Sequence, residues 1–278
     1  ANFNILKAFE MDNKIPCNHL NHSDTHIKIR NNWPKYIIGS CYWDKDIFHP
    51  IDITSEYSLI SGEILYHNNL TLTNIITASS YIISILPSLL SYEINFNNKK
   101  YSVNDGGYID NLSLGSLLRR KCKRIFLTAN IKLNSDGTLQ INDWLDDNNR
   151  NNYHDYFDID DWNKVLLNLN DKITEGEICC YKKIMHVKDN IRYHIESYEC
   201  EILFYFATRV TKFIEILPSD IVNLPEMKNF PNFSMFLENS CCILSYTNIQ
   251  CISLIKLTEW SVDKIIEKYP EFFIEKSF

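Results

Sequence analysis

The sequence predicts an α/β protein, and three observations carry that expectation. Tyr92-Glu93-Ile94-Asn95-Phe96 alternates in polarity, Asn97-Asn98 interrupts it, and Lys100-Tyr101-Ser102-Val103 returns, the pattern of a β-hairpin. The period then changes, because Leu112, Leu114, Leu117 and Leu118 line one face of a helix. Ile125-Phe126-Leu127 follows as a short apolar run of the buried-strand type. Strand, loop, helix and strand in that order predict a βαβ-like unit, and the loop between the first strand and the helix falls where open α/β sheets place their sites.

Length and composition set the frame for these elements. A chain of 278 residues can bury a substantial core, and we expect residues 1–278 to form one domain. Hydrophobic residues make up 45% and charged residues 23%, an ordinary globular balance, so the class must come from pattern and not from composition. The net charge of −7 argues against nucleic acid as a partner, since phosphate binding needs clustered cations. Nine cysteines form no C-x-x-C pair, and Cys179-Cys180 and Cys241-Cys242 are adjacent doublets that suit neither a metal cage nor a regular disulfide framework. They read as buried thiols of an intracellular, reducing compartment. The N-x-[ST] triplets at Asn21, Asn69, Asn111 and Asn232 are matches that an asparagine-rich chain produces by chance.

Taken in order, the chain opens on a polar stretch with Cys17, His19, His22 and His26, which reads as a surface loop, since Pro16 interrupts it and no apolar period marks a helix. Nothing in Ala1 to Glu10 has the form of a signal peptide. Trp33 to Gly39 leads into a strand, with Gly39 expected at a turn or a close backbone approach. Ser40 and Cys41 follow, without the G-x-S-x-G frame of a nucleophile elbow, which occurs nowhere in the chain. Leu70 to Leu90 reads as a buried helix ending near Pro87. Its most apolar window, Ile75 to Leu90, is shorter than the ~20 residues needed to span a bilayer, so no transmembrane helix is expected.

Asn130 to Trp162 is polar, and its carboxylates Asp146, Asp147, Asp155, Asp158, Asp160 and Asp161 lack the alternate spacing and central glycine of a calcium loop, so no metal and no cofactor is expected. Ile178 to Met185 and Ile191 to Ser197 read as a second strand pair, and Cys200 to Val210 is open between strand and helix. Pro218, Pro225 and Pro231 mark an extended stretch. Ser245 to Leu257 and Glu259 to Tyr269 read as two packing helices, with Trp260, Ile265 and Ile266 as core.

The candidate site is Asp105-Gly106-Gly107-Tyr108-Ile109-Asp110-Asn111-Leu112. It sets one carboxylate in front of two of only seven glycines, at the end of the hairpin's second strand. Asp105 is the candidate catalytic residue, and Gly106, Gly107 and Asn111 shape its loop. Arg119, Arg120, Lys121, Lys123 and Arg124 crowd the end of the helix. They could contact an anionic membrane surface, or serve the helix C-terminus, where cations are favoured by the dipole and bond the last carbonyls; the structural role is preferred.

This block, continued through Leu117-Leu118-Arg119-Arg120-Lys121-Cys122-Lys123-Arg124-Ile125, resembles the aspartate motif of patatin-like phospholipases, nearest to the larger members that shade into cytosolic phospholipase A2. Lys35 to Ser40, Ala78-Ser79-Ser80 and Asn229 to Ser234 are weaker similarities. The resemblance implies the C-terminal part of a patatin-like three-layer domain, with a mixed central sheet and flanking helices. It also implies a Ser-Asp dyad in which Asp105 assists a serine, with an oxyanion loop rich in glycine. The chain departs from the family at Thr128-Ala129-Asn130, where relatives commonly carry an acidic residue, and it lacks both serine elbow and oxyanion loop.

Three readings stay open on these residues. In the first, this is one piece of a phospholipase A-type acyl hydrolase, incomplete alone, whose partners are a polypeptide bearing the serine and a phospholipid or membrane surface to which it binds peripherally. In the second it is a non-catalytic patatin-like subunit of a larger assembly. In the third Asp-Gly-Gly is only a tight turn in an unrelated binding domain.

Overall fold

The computed structural model describes residues 38–44, 47–53, 57–60, 63–66, 92–96, 99–105, 110, 113–129, 155–228, 230–231 and 247–274. The expected helix at 70–90, the histidine-bearing stretch near the start, and the aspartates Asp146 and Asp147 lie outside these residues. The chain divides into two compact units, Ala1–Gly106 and Gly107–Phe278. The described elements are mixed α/β, as the sequence predicts.

The first unit holds a six-stranded sheet built from β1 (Ile38–Asp44), β2 (Ile47–Ile53), β3 (Tyr57–Ile60), β4 (Glu63–Tyr66), β5 (Tyr92–Phe96) and β6 (Lys99–Asp105). Its order is β4-β3-β2-β1-β6-β5, and every pairing is antiparallel. The hairpin expected from Tyr92 onward is present, closing with Phe96 opposite Lys99 and Tyr92 opposite Val103. Ile51, Asp52 and Ile53 are consecutive and all fully buried, so both faces of β2 are buried, because successive strand residues point to opposite faces. Tyr42 stacks on His49 at 5.0 Å and meets Tyr101 edge-on at 5.4 Å, one of the cross-strand aromatic clusters that favour a sheet. Gly39, expected at a turn or a close backbone approach, lies within β1, opposite Asp52, and not at a turn.

In the second unit α1 (Leu114–Arg119) is followed by β7 (Arg124–Ala129). The expected βαβ-like unit is corrected here. β6 is bonded to β1 and β5, while β7 belongs to a separate three-stranded sheet of order β7-β9-β8. That sheet's other strands are β8 (Cys180–Val187) and β9 (Tyr198–Phe206), with β7 parallel and β8 antiparallel to β9. The second hairpin therefore pairs β8 with β9, from Cys180 opposite Tyr205 to Val187 opposite Tyr198, and 191–193 is a 3-10 turn in its connection. Local pattern left β9 open between strand and helix because it is the middle strand: from Ile202 to Phe206 every residue is buried, which erases the alternation of a half-buried strand.

Between β7 and β8 lies α2 (Ile159–Thr174), started by Asp158, whose carboxylate accepts the Asp160 N–H at 2.9 Å. Trp162, Val165 and Leu169 form its buried face, which packs toward β8, and Trp162 stacks on Phe157 and meets Phe204 edge-on. After Thr174 the chain turns at Gly176, whose φ of 67° suits glycine, and a Cβ there would fall 2.3 Å from Thr211 Oγ1. β9 is followed by α3 (Thr211–Ile216) and α4 (Ser219–Val222).

The two helices expected at the end are one, α5 (Asn248–Lys268), opened by a Thr247–Gln250 capping box. Thr258 does not break it, since its hydroxyl bonds back to the Leu254 carbonyl at 2.9 Å. Its buried stripe is Ser253, Leu257, Ser261 and Ile265. Leu257 joins Val210, Phe213, Met227 and Phe230, and Trp260 packs against that cluster, whereas Ile265 joins Cys180, Leu203, Tyr205 and Phe272. Ile266, expected in the core, is exposed, being one position off the stripe. Phe272 belongs to the short α6 (Pro270–Phe273).

Candidate active site

Asp105 is the last residue of β6, with Ser40 as its register partner on β1. Two residues before it, Val103 is fully buried, so the end of β6 is anchored in the sheet's core. Gly106, Gly107 and Asn111 lie outside the described residues. Ser40 and Cys41 are regular members of β1, paired with Ile51 and Pro50. They are not on a strand-to-helix turn, which removes the geometry a nucleophile elbow requires.

Further along the motif, sequence reasoning missed a second aspartate. The N-cap position of α1 is Ser113, held at φ 52° with no side-chain cap, so the helix start lacks its usual acceptor. Asp110 supplies one. Its Oδ2 accepts the Gly115 N–H at 2.6 Å, and its own carbonyl accepts the Ser113 N–H at 3.2 Å, closing the turn in front of the helix. Gly115 has no room for a side chain: a Cβ would lie 2.9 Å from the Tyr156 hydroxyl and 3.2 Å from Asp110 Oδ2. Tyr156 is 3% exposed and packs edge-on against Tyr193, with ring centroids 5.4 Å apart. Burial first, then the negative charge of Asp110, holds the Tyr156 hydroxyl well above its ordinary pKa. The signal available in the sequence was an acidic residue just ahead of a glycine-bearing first helical turn.

The basic run is engaged inside the chain. Arg119 donates to the Tyr193 carbonyl at 3.4 Å and to Ser116 Oγ at 3.3 Å, and Arg120 donates to the Ser116 carbonyl at 2.8 Å. Lys121 pairs with Glu196, and the Lys123 ammonium lies 5.6 Å from the centre of the Tyr198 ring. Arg124 donates to the carbonyls of Phe272 and Ile274 at 3.2 and 2.7 Å, and its Nε lies 3.6 Å from Glu201. The end of α1 is a Schellman motif: the Cys122 N–H bonds the Leu117 carbonyl and the Lys121 N–H bonds that of Leu118. Lys121 takes the left-handed position, φ 51°, where glycine is usual.

Other candidate chemistry is limited by environment. Burial raises the thiol pKa of Cys179 far up and those of Cys180 and Cys200 to about 12, so these cysteines stay protonated near neutrality and are poor nucleophiles. The described cysteines Cys41, Cys122, Cys179, Cys180, Cys200 and Cys251 form no disulfide. Asp158 and Asp161, considered for a cation, are spent on a helix cap and on an ion pair with Lys183 at 3.1 Å. Among the described residues no group of His, Cys, Asp and Glu could hold a metal ion, and no helix is long and apolar enough to cross a membrane.

Comparison of the chain with protein-family models, curated proteins and solved structures gave no match.

Proposed function

We propose that this chain is part of a lipid acyl-ester hydrolase of phospholipase A type, with Asp105 as the aspartate of a Ser-Asp dyad in a patatin-like three-layer domain. The observation that carries the reading is the pairing of an intact Asp105-Gly106-Gly107 motif with its setting. Asp105 closes a core-anchored strand, Gly106 and Gly107 follow it in the sequence, and the next described helix, Leu114–Arg119, is capped at both ends. An aspartate at the end of an anchored strand can take a proton from an incoming hydroxyl without its own backbone shifting.

In the proposed reaction a serine supplied from outside residues 1–278 attacks the ester carbonyl and gives its proton to Asp105. Backbone N–H groups of the same outside polypeptide hold the developing oxyanion. Collapse of the tetrahedral intermediate expels the alcohol, which leaves with that proton, and an acyl-serine remains. Water then attacks the acyl-serine with Asp105 again accepting the proton, and the fatty acid is released as the serine recovers it. No cofactor enters this scheme. The phospholipid surface is the proposed partner, and described cysteines that form no disulfide fit a reducing, intracellular compartment.

The test is to purify the native protein and treat it with a fluorophosphonate. Label on a copurifying polypeptide, or on sequence joined to this chain, supports the dyad. Label within residues 1–278 would mean the nucleophile lies in this chain, and absence of both label and ester hydrolysis would favour a non-catalytic patatin-like subunit.

A further inference from the structure

α5 carries two stripes along its length. The one formed by Ser253, Leu257, Ser261 and Ile265 is buried within the second unit. The other runs through Ile252, Ile255, Val262 and Ile266, with Glu259 between its halves, at the alternating steps of three and four residues that keep side chains in line on a helix. With about 3.6 residues per turn, the two stripes fall on nearly opposite sides of α5. Ile252 and Ile266 are 58% and 42% exposed, and Ile255 and Val262 are half-buried. Single exposed apolar residues are ordinary on a protein surface, but four in line on one outer face mark a surface that something covers.

The charges of the helix indicate what fits there. Lys256, Lys264 and Lys268 are balanced by Glu259, Asp263 and Glu267, and two pairs close within the helix, Lys256 with Glu259 at 2.8 Å and Lys264 with Glu267 at 2.7 Å. A helix that lies on an anionic membrane carries an excess of cations, which α5 lacks. Lys256 and Asp263 each follow a member of the outer stripe, Ile255 and Val262, so they flank it on the same side. When two such helices pack antiparallel about a two-fold axis, like flanks face each other. Lys256 then comes opposite Asp263 of the second copy, and Asp263 opposite its Lys256. In a parallel pair the same two residues would face Cys251 and Thr258, and no charge would be matched.

We propose that α5 docks antiparallel on α5 of a second copy of this chain, through Ile252, Ile255, Val262 and Ile266, with two reciprocal Lys256–Asp263 ion pairs setting the direction. Glu259 lies near the two-fold axis, where Lys256 on its own helix offsets its charge. The interface stands apart from the hydrolase reading. One helix pair is at the small end of specific interfaces, so association is weak, with a Kd on the order of 10 μM.

The experiment is sedimentation of the purified full chain over a concentration series, with circular dichroism to confirm that each variant keeps its helix content. Wild type should pass from monomer to dimer as concentration rises. Ile252→Lys with Ile266→Lys changes only exposed positions and should raise Kd at least about tenfold. Lys256→Asp should weaken the dimer by about tenfold, since both reciprocal pairs become repulsive, and adding Asp263→Lys should restore it. Ile191→Lys, at an exposed isoleucine of the β8–β9 connection, should leave Kd unchanged. A wild type that stays monomeric throughout overturns the proposal, as does a dimer that the two lysines in the stripe leave intact or that Ile191→Lys weakens equally. Failure of the charge exchange to restore the dimer overturns the antiparallel pairing. Binding of monomeric wild type to phosphatidylcholine–phosphatidylserine vesicles, lost in Ile252→Lys with Ile266→Lys, would assign the stripe to a membrane instead.

Discussion

The two sheets of this protein are specified in different ways. In the six-stranded sheet the pairings β1–β2, β2–β3, β3–β4 and β5–β6 all join neighbours in the chain, and only β1–β6 spans a longer interval. In the three-stranded sheet β7 pairs parallel with β9 across all of α2 and β8. The two aspartates of the motif divide along the same line. Asp105 ends a hairpin strand that local alternation predicts, whereas Asp110 sits among Tyr156 and Tyr193, brought to it from far along the chain. A residue held by local structure can be found in a sequence, and one held by distant structure is seen only after folding.

The largest expected effect bears on the locally specified aspartate. On the proposed hydrolase reading, Asp105→Asn keeps the strand but cannot take the serine proton, so ester hydrolysis should fall about a thousandfold or more, read as kcat on a short-chain ester. Retained turnover would remove Asp105 from the chemistry.

On the other side of the comparison, Trp162→Ala should cost about 3–5 kcal/mol in urea denaturation, because the ring is 1% exposed between Phe157 and Phe204. Amide protection should be lost first in β8 and β9. Equal loss in β1 and β2 would break the contrast between the sheets.

Alkaline pH supplies a third measurement. Cys180 and Cys200 hold their protons to about 12 in the folded chain, while an unfolded thiol gives its proton up near ~8.5. A raised folded pKa stabilises fully below the unfolded value and loses that contribution as pH rises through the folded one. Thermal stability should therefore decline from about pH 8.5 toward about pH 12. A Tm that is flat across this interval would contradict the buried, protonated state.

Smaller effects attach to the end of α1. Lys121→Gly relieves a left-handed lysine, which favours the variant by about 1 kcal/mol, and forfeits an exposed ion pair with Glu196 worth about 0–1 kcal/mol. Tm should rise slightly or hold, and a marked drop would show that the ion pair outweighs backbone strain. Smallest of all, Lys121→Glu with Lys123→Glu should leave binding to anionic vesicles unchanged, because both cations are engaged within the chain. Lost vesicle binding would instead assign the run to the membrane.

Legibility in the sequence followed the range of each contact. The β5–β6 hairpin, α1 and β7 were readable from period changes that span only a few residues each. β9 was ambiguous because burial on both faces leaves no alternation, and α5 read as two apolar-periodic segments where the structure has one continuous helix. At the site Asp105 stood out through its glycines. Asp110 did not, because its significance depends on Gly115 and Tyr156 closing around it.

Gly176 carries a lesson for anyone scanning this chain by substitution. Its left-handed backbone and the closeness of the Thr211 hydroxyl disfavour any other side chain, so a survey of tolerated variants would score it as sensitive. That intolerance would be a statement about how the end of α2 passes α3. A glycine whose loss silences hydrolysis while the protein still folds would be the one that reports on the reaction.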